Sequence, residues 1–313
     1  MTDHDDKIDP AGFDRRDFLK TGALGMAAAG AAGLAASDAT AKTVVPGDVP
    51  WTNATKGGKR VALLNDADLQ IGPPIALELA QKGHNLVLAQ PQEGLVDACK
   101  AAGAEVIVVE GIEQEGPNDE SQPGSTQKLV DAAMENFGGF DSAYIRTAIH
   151  SKGDILEMTP ANFDVVYGSN YKAVVYALKT LMPPMMDWGQ GQILVLTSAT
   201  GDKPFTDMVA YSSMRAAANM TVRCAALTAA PKGVCINAMG TNFINYPDAV
   251  ETLGGPEAMA EVSTHIPVGR FGEPAECAHT AVTLLDGRNM FATGMFIPMA
   301  GGYNLAADRS DFS

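Results

Sequence analysis

K-R-V-A-L-L-N-D-A-D-L-Q-I-G-P-P-I-A-L-E-L-A-Q-K-G-H-N-L-V-L-A-Q, residues 59–90, decides the fold. Val61–Leu64 is a short apolar run without polar alternation, as expected of a strand covered on both faces. After a polar turn, Pro73 and Pro74 open a stretch with helical spacing of apolar residues. Their missing N–H groups cost little in a first helical turn. A second apolar run, Asn85–Leu88, completes a strand–helix–strand unit.

Outward from this unit the alternation continues. Apolar runs recur at Glu105–Val109, Ser142–Ile145, Ile193–Leu196, Val234–Ala238 and Met295–Met299. Helical patterns fall at 73–83, 92–102, 125–137, 160–182, 210–230 and 273–286. This order predicts an α/β protein with a doubly wound, mostly seven-stranded parallel sheet of Rossmann-like type. The expectation is one domain over residues 59–313, preceded by a Pro/Gly/Thr-rich linker arm at 42–58.

Asp14-Arg15-Arg16-Asp17-Phe18-Leu19-Lys20, an Ala/Gly-rich stretch and Ala39-Thr40-Ala41 have the form of a bacterial twin-arginine signal peptide over residues 1–41. They predict export to the periplasm. The low hydrophobicity of the stretch argues against stable membrane insertion. A net charge of −15 argues against nucleic acid as a partner. Cys99, Cys224, Cys235 and Cys277 lack metal-ligand spacing and sit in apolar patterns, so buried thiols and no metal site are expected. Met182, Met185 and Met186 are expected between helix and sheet.

T-S-A-T (197–200) and Y-S-S-M-R (211–215) give the spacing Ser-x12-Tyr-x3-Arg. Residues i and i+4 share a helix face, so Arg215 is expected beside the Tyr211 phenol. A cation there favours the phenolate and draws a tyrosine down from its ordinary pKa of about 10. Ser198, from a strand end, is placed to hold the substrate oxygen that gains or loses the proton. The alanine-rich helix around Tyr211 suits either an oligomer interface or packing on its own sheet.

The turn after the first strand reads Asn65-Asp66-Ala67-Asp68-Leu69-Gln70-Ile71-Gly72. A dinucleotide turn needs three glycines for close approach to the pyrophosphate, and only Gly72 is present. Asp66 and Asp68 put carboxylates where phosphates would lie. Gln90 stands where an acidic residue would meet the ribose. These departures predict a site without NAD or NADP.

With these residues in view, the chain resembles the short-chain dehydrogenase/reductase superfamily over roughly residues 59–305. The Ser/Tyr pair, Asn170 and V-G-R-F-G-E-P (268–274) carry that resemblance. Its arginine, G-T-N-F (240–243), M-A-G-G (299–302) and I-R-T-A (145–148) look most like the halohydrin dehalogenase branch. That resemblance implies a cofactor-independent lyase and a homotetramer. Tyr211 would deprotonate a vicinal haloalcohol held by Ser198, and the alkoxide would close an epoxide and expel halide. It places Asn65, Gln70, Gly72, Asn242 and Phe243 around the halide or substrate. Asn170, which organises a water relay in reductases, and His150, near the fourth strand's end, are further candidates. Residues 243–266 resemble a substrate-covering loop. The alternative is an exported NAD(P)-dependent reductase acting on a small alcohol or carbonyl.

Overall fold

β1 (Val61–Leu64), β2 (Asn85–Ala89), β4 (Ser142–Arg146) and β5 (Gly191–Ser198) are buried at every residue. Strands with no solvent face need layers on both sides, which explains their unbroken apolar runs. These strands come from a computed structural model that describes residues 51–112, 122–147, 151–246 and 249–305. Residues 1–41, expected as a twin-arginine signal peptide, the first part of the expected linker and His150 lie outside the described residues.

With β3 (Val106–Val109), β6 (Val234–Thr241) and β7 (Phe296–Met299), the strands form one seven-stranded sheet in the order β3-β2-β1-β4-β5-β6-β7. Every neighbouring pair is parallel. Ala62 stands opposite both Leu86 of β2 and Ser142 of β4. The strand order reverses between β1 and β4, which opens a crevice at the C-terminal edge.

The intervening helices are α1 (Gly72–Gln81), α2 (Leu95–Ala101), α3 (Gln122–Phe137), α4 (Pro160–Tyr167), α5 (Ala173–Trp188) and α6 (Val209–Ala229). After β6 come α7 (Ala249–Thr252), α8 (Pro256–Thr264) and α9 (Pro274–Thr283). One apolar core lies under α3, α5 and α6, the other under α1, α2 and α9. Met182, Met185 and Met186 pack in the first. Cys99, Cys235 and Cys277 are buried, whereas Cys224 lies on the exposed side of α6, contrary to expectation.

The helix expected over 160–182 differs in two ways. Gly168–Lys172 forms a π-helical turn between α4 and α5. The helix then continues past Pro183 and Pro184 to Trp188 and ends at Gly189, whose φ of 77° provides a left-handed cap. Packing holds that last turn in place. A Cβ on Gly191 would meet the Met185 sulfur at 2.4 Å, so the helix end lies directly on β5. The proposed covering segment likewise contains the short helices α7 and α8 rather than open loop alone.

Residues 51–54 of the expected linker are fastened to the N-terminal edge of the sheet. The Asn53 side chain donates to the carbonyls of Phe140 and Gln190, and the Asp141 carboxylate accepts from Thr52 and from Val61 N. Beside it, buried Arg60 donates to His84 Nε2 at 3.1 Å and to Trp51 O at 2.8 Å, and lies 4.1 Å from the Trp51 ring.

Burial, and then the Arg60 charge, lower the His84 pKa to about 3 from its ordinary 6.5. As pH falls, the unfolded chain takes up this proton before the native state does. The stability owed to neutral His84 is therefore complete above pH 6.5 and lost progressively towards pH 3. Thermal melting from pH 7 to pH 4 should show a falling Tm. His84→Gln should make that fall shallower than in the wild type.

Candidate active site

Ser198 is the last residue of β5, and the chain turns at once through a 3-10 turn at Ala199–Gly201. A Cβ on Gly201 would lie 2.8 Å from Arg215 C and Ala216 N, so this turn rests on the backbone of α6. Thr197 donates to Asn219 Oδ1 at 2.7 Å and fastens the strand end to the same helix. The strand serine is thereby held against the helical turn carrying Tyr211 and Arg215. The Ser198 hydroxyl accepts from Thr200 N and Thr200 Oγ1 at 3.2 and 3.0 Å, and donates to Thr241 O at 3.5 Å.

Tyr211 and Arg215 share one face of α6, with the guanidinium carbon 5.3 Å from the phenol ring centroid. Arg215 is 1% exposed, and its Nε and Nη1 are buried without hydrogen-bond partners. No carboxylate is paired with it among the described residues. Such unpaired buried donors call for acceptors from a ligand. Asn170, fully buried, sits in the π-helical turn and donates from Nδ2 to Ser169 Oγ at 3.1 Å. A π-turn shifts the residues after it around the helix and so re-aims them, a frequent arrangement at functional sites.

The remaining sequence candidates divide into two groups. At the β1/β4 crevice, the Asn65 amide accepts from Arg146 N at 2.7 Å and donates to Arg146 O at 2.8 Å. Gln70 Oε1 accepts from Arg146 Nε at 3.2 Å. Gly72 begins α1 where a Cβ would lie 2.1 Å from the Asp66 carbonyl oxygen. Asn242 and Phe243 lie after β6, where they line a cavity of about 210 Å³ with Ile244, Ile266 and Met299. Asn242 Oδ1 caps Phe243 N at 3.1 Å, while its Nδ2 is buried and unpaired.

The expected electrostatic barrier at Asp66 is corrected by Arg146, a residue whose part in the site the sequence reading missed. Asp66 is fully buried and meets Arg146 Nη1 at 2.8 Å. It also accepts from the N–H groups of Asp68 and Leu69, so its charge closes the turn. The available signal was an Asp just past β1 facing an Arg at the end of the neighbouring β4.

A sheet of this order, with a strand-end serine beside a tyrosine and cation one helical turn apart, defines a Rossmann-like α/β enzyme. Residues 67–304 match the family described as enoyl-(acyl carrier protein) reductase, and the protein belongs to that family, within the short-chain dehydrogenase/reductase superfamily. The chain is 24% identical over 250 residues to 2,5-dichloro-2,5-cyclohexadiene-1,4-diol dehydrogenase LinX of Sphingobium indicum, covering 79% of this chain and 96% of the relative. It is 26% identical over 246 residues to 3-oxoacyl-[acyl-carrier-protein] reductase FabG of Staphylococcus epidermidis, covering 77% and 97%. Among solved structures, levodione reductase aligns with TM-score 0.69 at 23% identity, covering 79% of this chain and 98% of that one. YwfH, described as an NADPH dependent reductase, aligns at 0.70 and 21%, covering 78% and 98%.

These comparisons overturn the halohydrin dehalogenase lyase chemistry expected from the sequence, together with the expected lack of a cofactor. The matching family and relatives are dehydrogenases and reductases. The residues present fit a nicotinamide dinucleotide at two places. Arg215 Nε and Nη1 and the buried, unpaired Thr147 Oγ1 at the end of β4 offer hydrogen-bond capacity to a hydroxyl-rich ribose. Gly72 preserves the close approach of α1 to the β1 turn, and Arg146 neutralises Asp66 there. Among the described residues, no group of three or more His, Cys, Asp or Glu is placed to hold a metal. No described helix is long and apolar enough to cross a membrane.

Asp66→Ala leaves the Arg146 guanidinium buried without its carboxylate and should cost about 3–5 kcal/mol in denaturant unfolding. Adding Arg146→Met removes the stranded charge. The double variant should recover much of that loss, and a double variant no more stable than Asp66→Ala would show that the pair does not hold the turn.

Proposed function

We propose that the chain is an oxidoreductase that interconverts an alcohol and a carbonyl compound using NAD or NADP. The observation that carries this reading is the buried Tyr211–Arg215 pair packed against the strand end bearing Ser198. In the reducing direction, the carbonyl oxygen takes the Tyr211 hydroxyl proton while its carbon receives hydride. Ser198 holds that oxygen, and in the oxidising direction the proton returns to Tyr211. The bound dinucleotide supplies or takes up the hydride. Arg215 places a buried positive charge beside the ring that becomes anionic, and its unpaired Nε and Nη1 would be the donors to hold the ribose of a bound dinucleotide. Asn170, fixed by Ser169, is suited to relay the proton onward through water.

The similarity to the dehydrogenase LinX and the reductase FabG supports this reaction class. The twin-arginine leader supports export to the periplasm with the dinucleotide already bound. Met220 and Leu227, exposed on the alanine-rich α6, support a homo-oligomer, for which we favour a tetramer.

Purified protein should bind NADPH or NADH, read by enhanced nicotinamide fluorescence, and should reduce carbonyl compounds only in its presence. Tyr211→Phe should lower kcat by about 10²–10⁴-fold while leaving dinucleotide binding in place. Failure to bind either dinucleotide would sink the reading.

A further inference from the structure

Four aromatic rings meet on the segments that follow β5, β6 and β7. Phe243 contacts Tyr303 edge-on at 4.9 Å between centroids, and Phe205 and Phe271 at 6.2 and 5.9 Å; Phe205 and Tyr303 are 5.6 Å apart. Three of them come from segments tied to the serine turn. Phe205 lies in the loop that leaves β5. Phe243 follows Thr241, whose carbonyl accepts from the Ser198 hydroxyl. Tyr303 precedes Asn304, whose amide donates to Ala199 O at 2.9 Å. Phe205, Phe243 and Tyr303 are each only half-buried.

Phe243 has φ of 55°, a left-handed backbone that a bulky residue rarely adopts. The Asn242 side chain caps its N–H and holds it there. Strain kept in this way at a site boundary points to a ring whose placement matters. The other side of the site is apolar too. Met158, Met208 and Met214 pack against Tyr211, Val166 and Ala210. Gly153 bridges to Met208 and brings the 151–158 segment across the start of α6, with Ile155 and Leu156 exposed on it.

The exposed charged side chains on the loop that carries Phe205 are acidic, whereas the cations near the site are turned inward. Arg215 is buried behind Tyr211. Lys203 is engaged, donating to Tyr303 O at 3.1 Å with its ammonium 4.0 Å from the Tyr303 ring. Asp202 and Asp207 are exposed on the loop that carries Phe205.

We infer that the Ser198–Tyr211 site takes an uncharged ring-bearing ketone or the matching alcohol, with its ring against Phe205, Phe243 and Tyr303. This deepens, and rests on, the oxidoreductase reading. The test compares acetophenone, 4-acetylbenzoate and butanone with NADPH and NADH, in wild type and Phe205→Ala, with Tm as a check on folding. We expect kcat/KM for acetophenone to exceed that for 4-acetylbenzoate by about tenfold or more. In Phe205→Ala, the acetophenone-to-butanone ratio should fall by about tenfold. A preference for the carboxylate, or an unchanged ratio, would overturn the inference. If neither dinucleotide supports turnover, the oxidoreductase reading fails, but saturation-transfer NMR on acetophenone still decides this one. Transfer to its ring protons that Phe205→Ala loses supports the aromatic wall, and absence of transfer in the wild type refutes it.

Discussion

The ion pair between Asp66 and Arg146 joins the two strands at which the sheet changes direction. In a parallel sheet of this order, β1 and β4 are neighbours whose following chains leave on opposite sides, so nothing in the ladder closes the gap beyond their last residues. Here side chains close it. Asn65 adds two hydrogen bonds to the backbone of Arg146, Asp66 takes its guanidinium, and Gln70 takes its Nε. Asp66 also caps the turn that leads into α1. Removing one partner of a buried charge pair is costly, and within this group each member answers another.

Backbone strain follows the same edge. Among the described residues, the non-glycine positions with positive φ are Gln70, Gln90 and Phe243. They lie after β1, β2 and β6 respectively, all at the C-terminal ends of strands. Strained residues persist where the surroundings over-determine them, and such sites cluster at functional edges. The opposite edge holds the Arg60, His84 and Asp141 network and the 51–54 clamp, and carries none of the catalytic candidates. The two ends thus divide the labour: one fastens the sheet, the other shapes the site.

The sheet was legible because doubly covered strands leave an unambiguous apolar signature. Val61–Leu64 and Asn85–Leu88 fall on β1 and β2 almost residue for residue. Helix interiors between α4 and α5 were less legible. A single π-turn displaces the apolar spacing by too little to stand out in a long helical pattern, and prolines near a helix end do not reveal that packing on Gly191 will hold the last turn. Ser198, Tyr211 and Arg215 could be found because their spacing is local. The pairing of Arg146 with Asp66, and the meeting of Phe205 and Tyr303 with the candidate Phe243, were not legible, because those contacts join residues far apart in sequence that only the folded strand ends bring together.

The glycine-poor turn shows why a missing motif is weaker than a matched fold. Its acidic residues were read as repelling a pyrophosphate, which holds only if their charge faces the crevice unpaired. Asp66 faces inward and is neutralised, while Gly72, the one glycine retained, is the position where any Cβ would strike the Asp66 carbonyl. The turn has therefore been rebuilt around an ion pair while keeping the close helix–strand contact. Arg215 follows the same logic: an arginine at this helical position presents more donors than it uses internally, and two of them are left for a ligand. The changes that suggested a different reaction are local substitutions within a fold that still brings the Tyr211 phenol, the Ser198 hydroxyl and the unpaired Arg215 donors to one strand end.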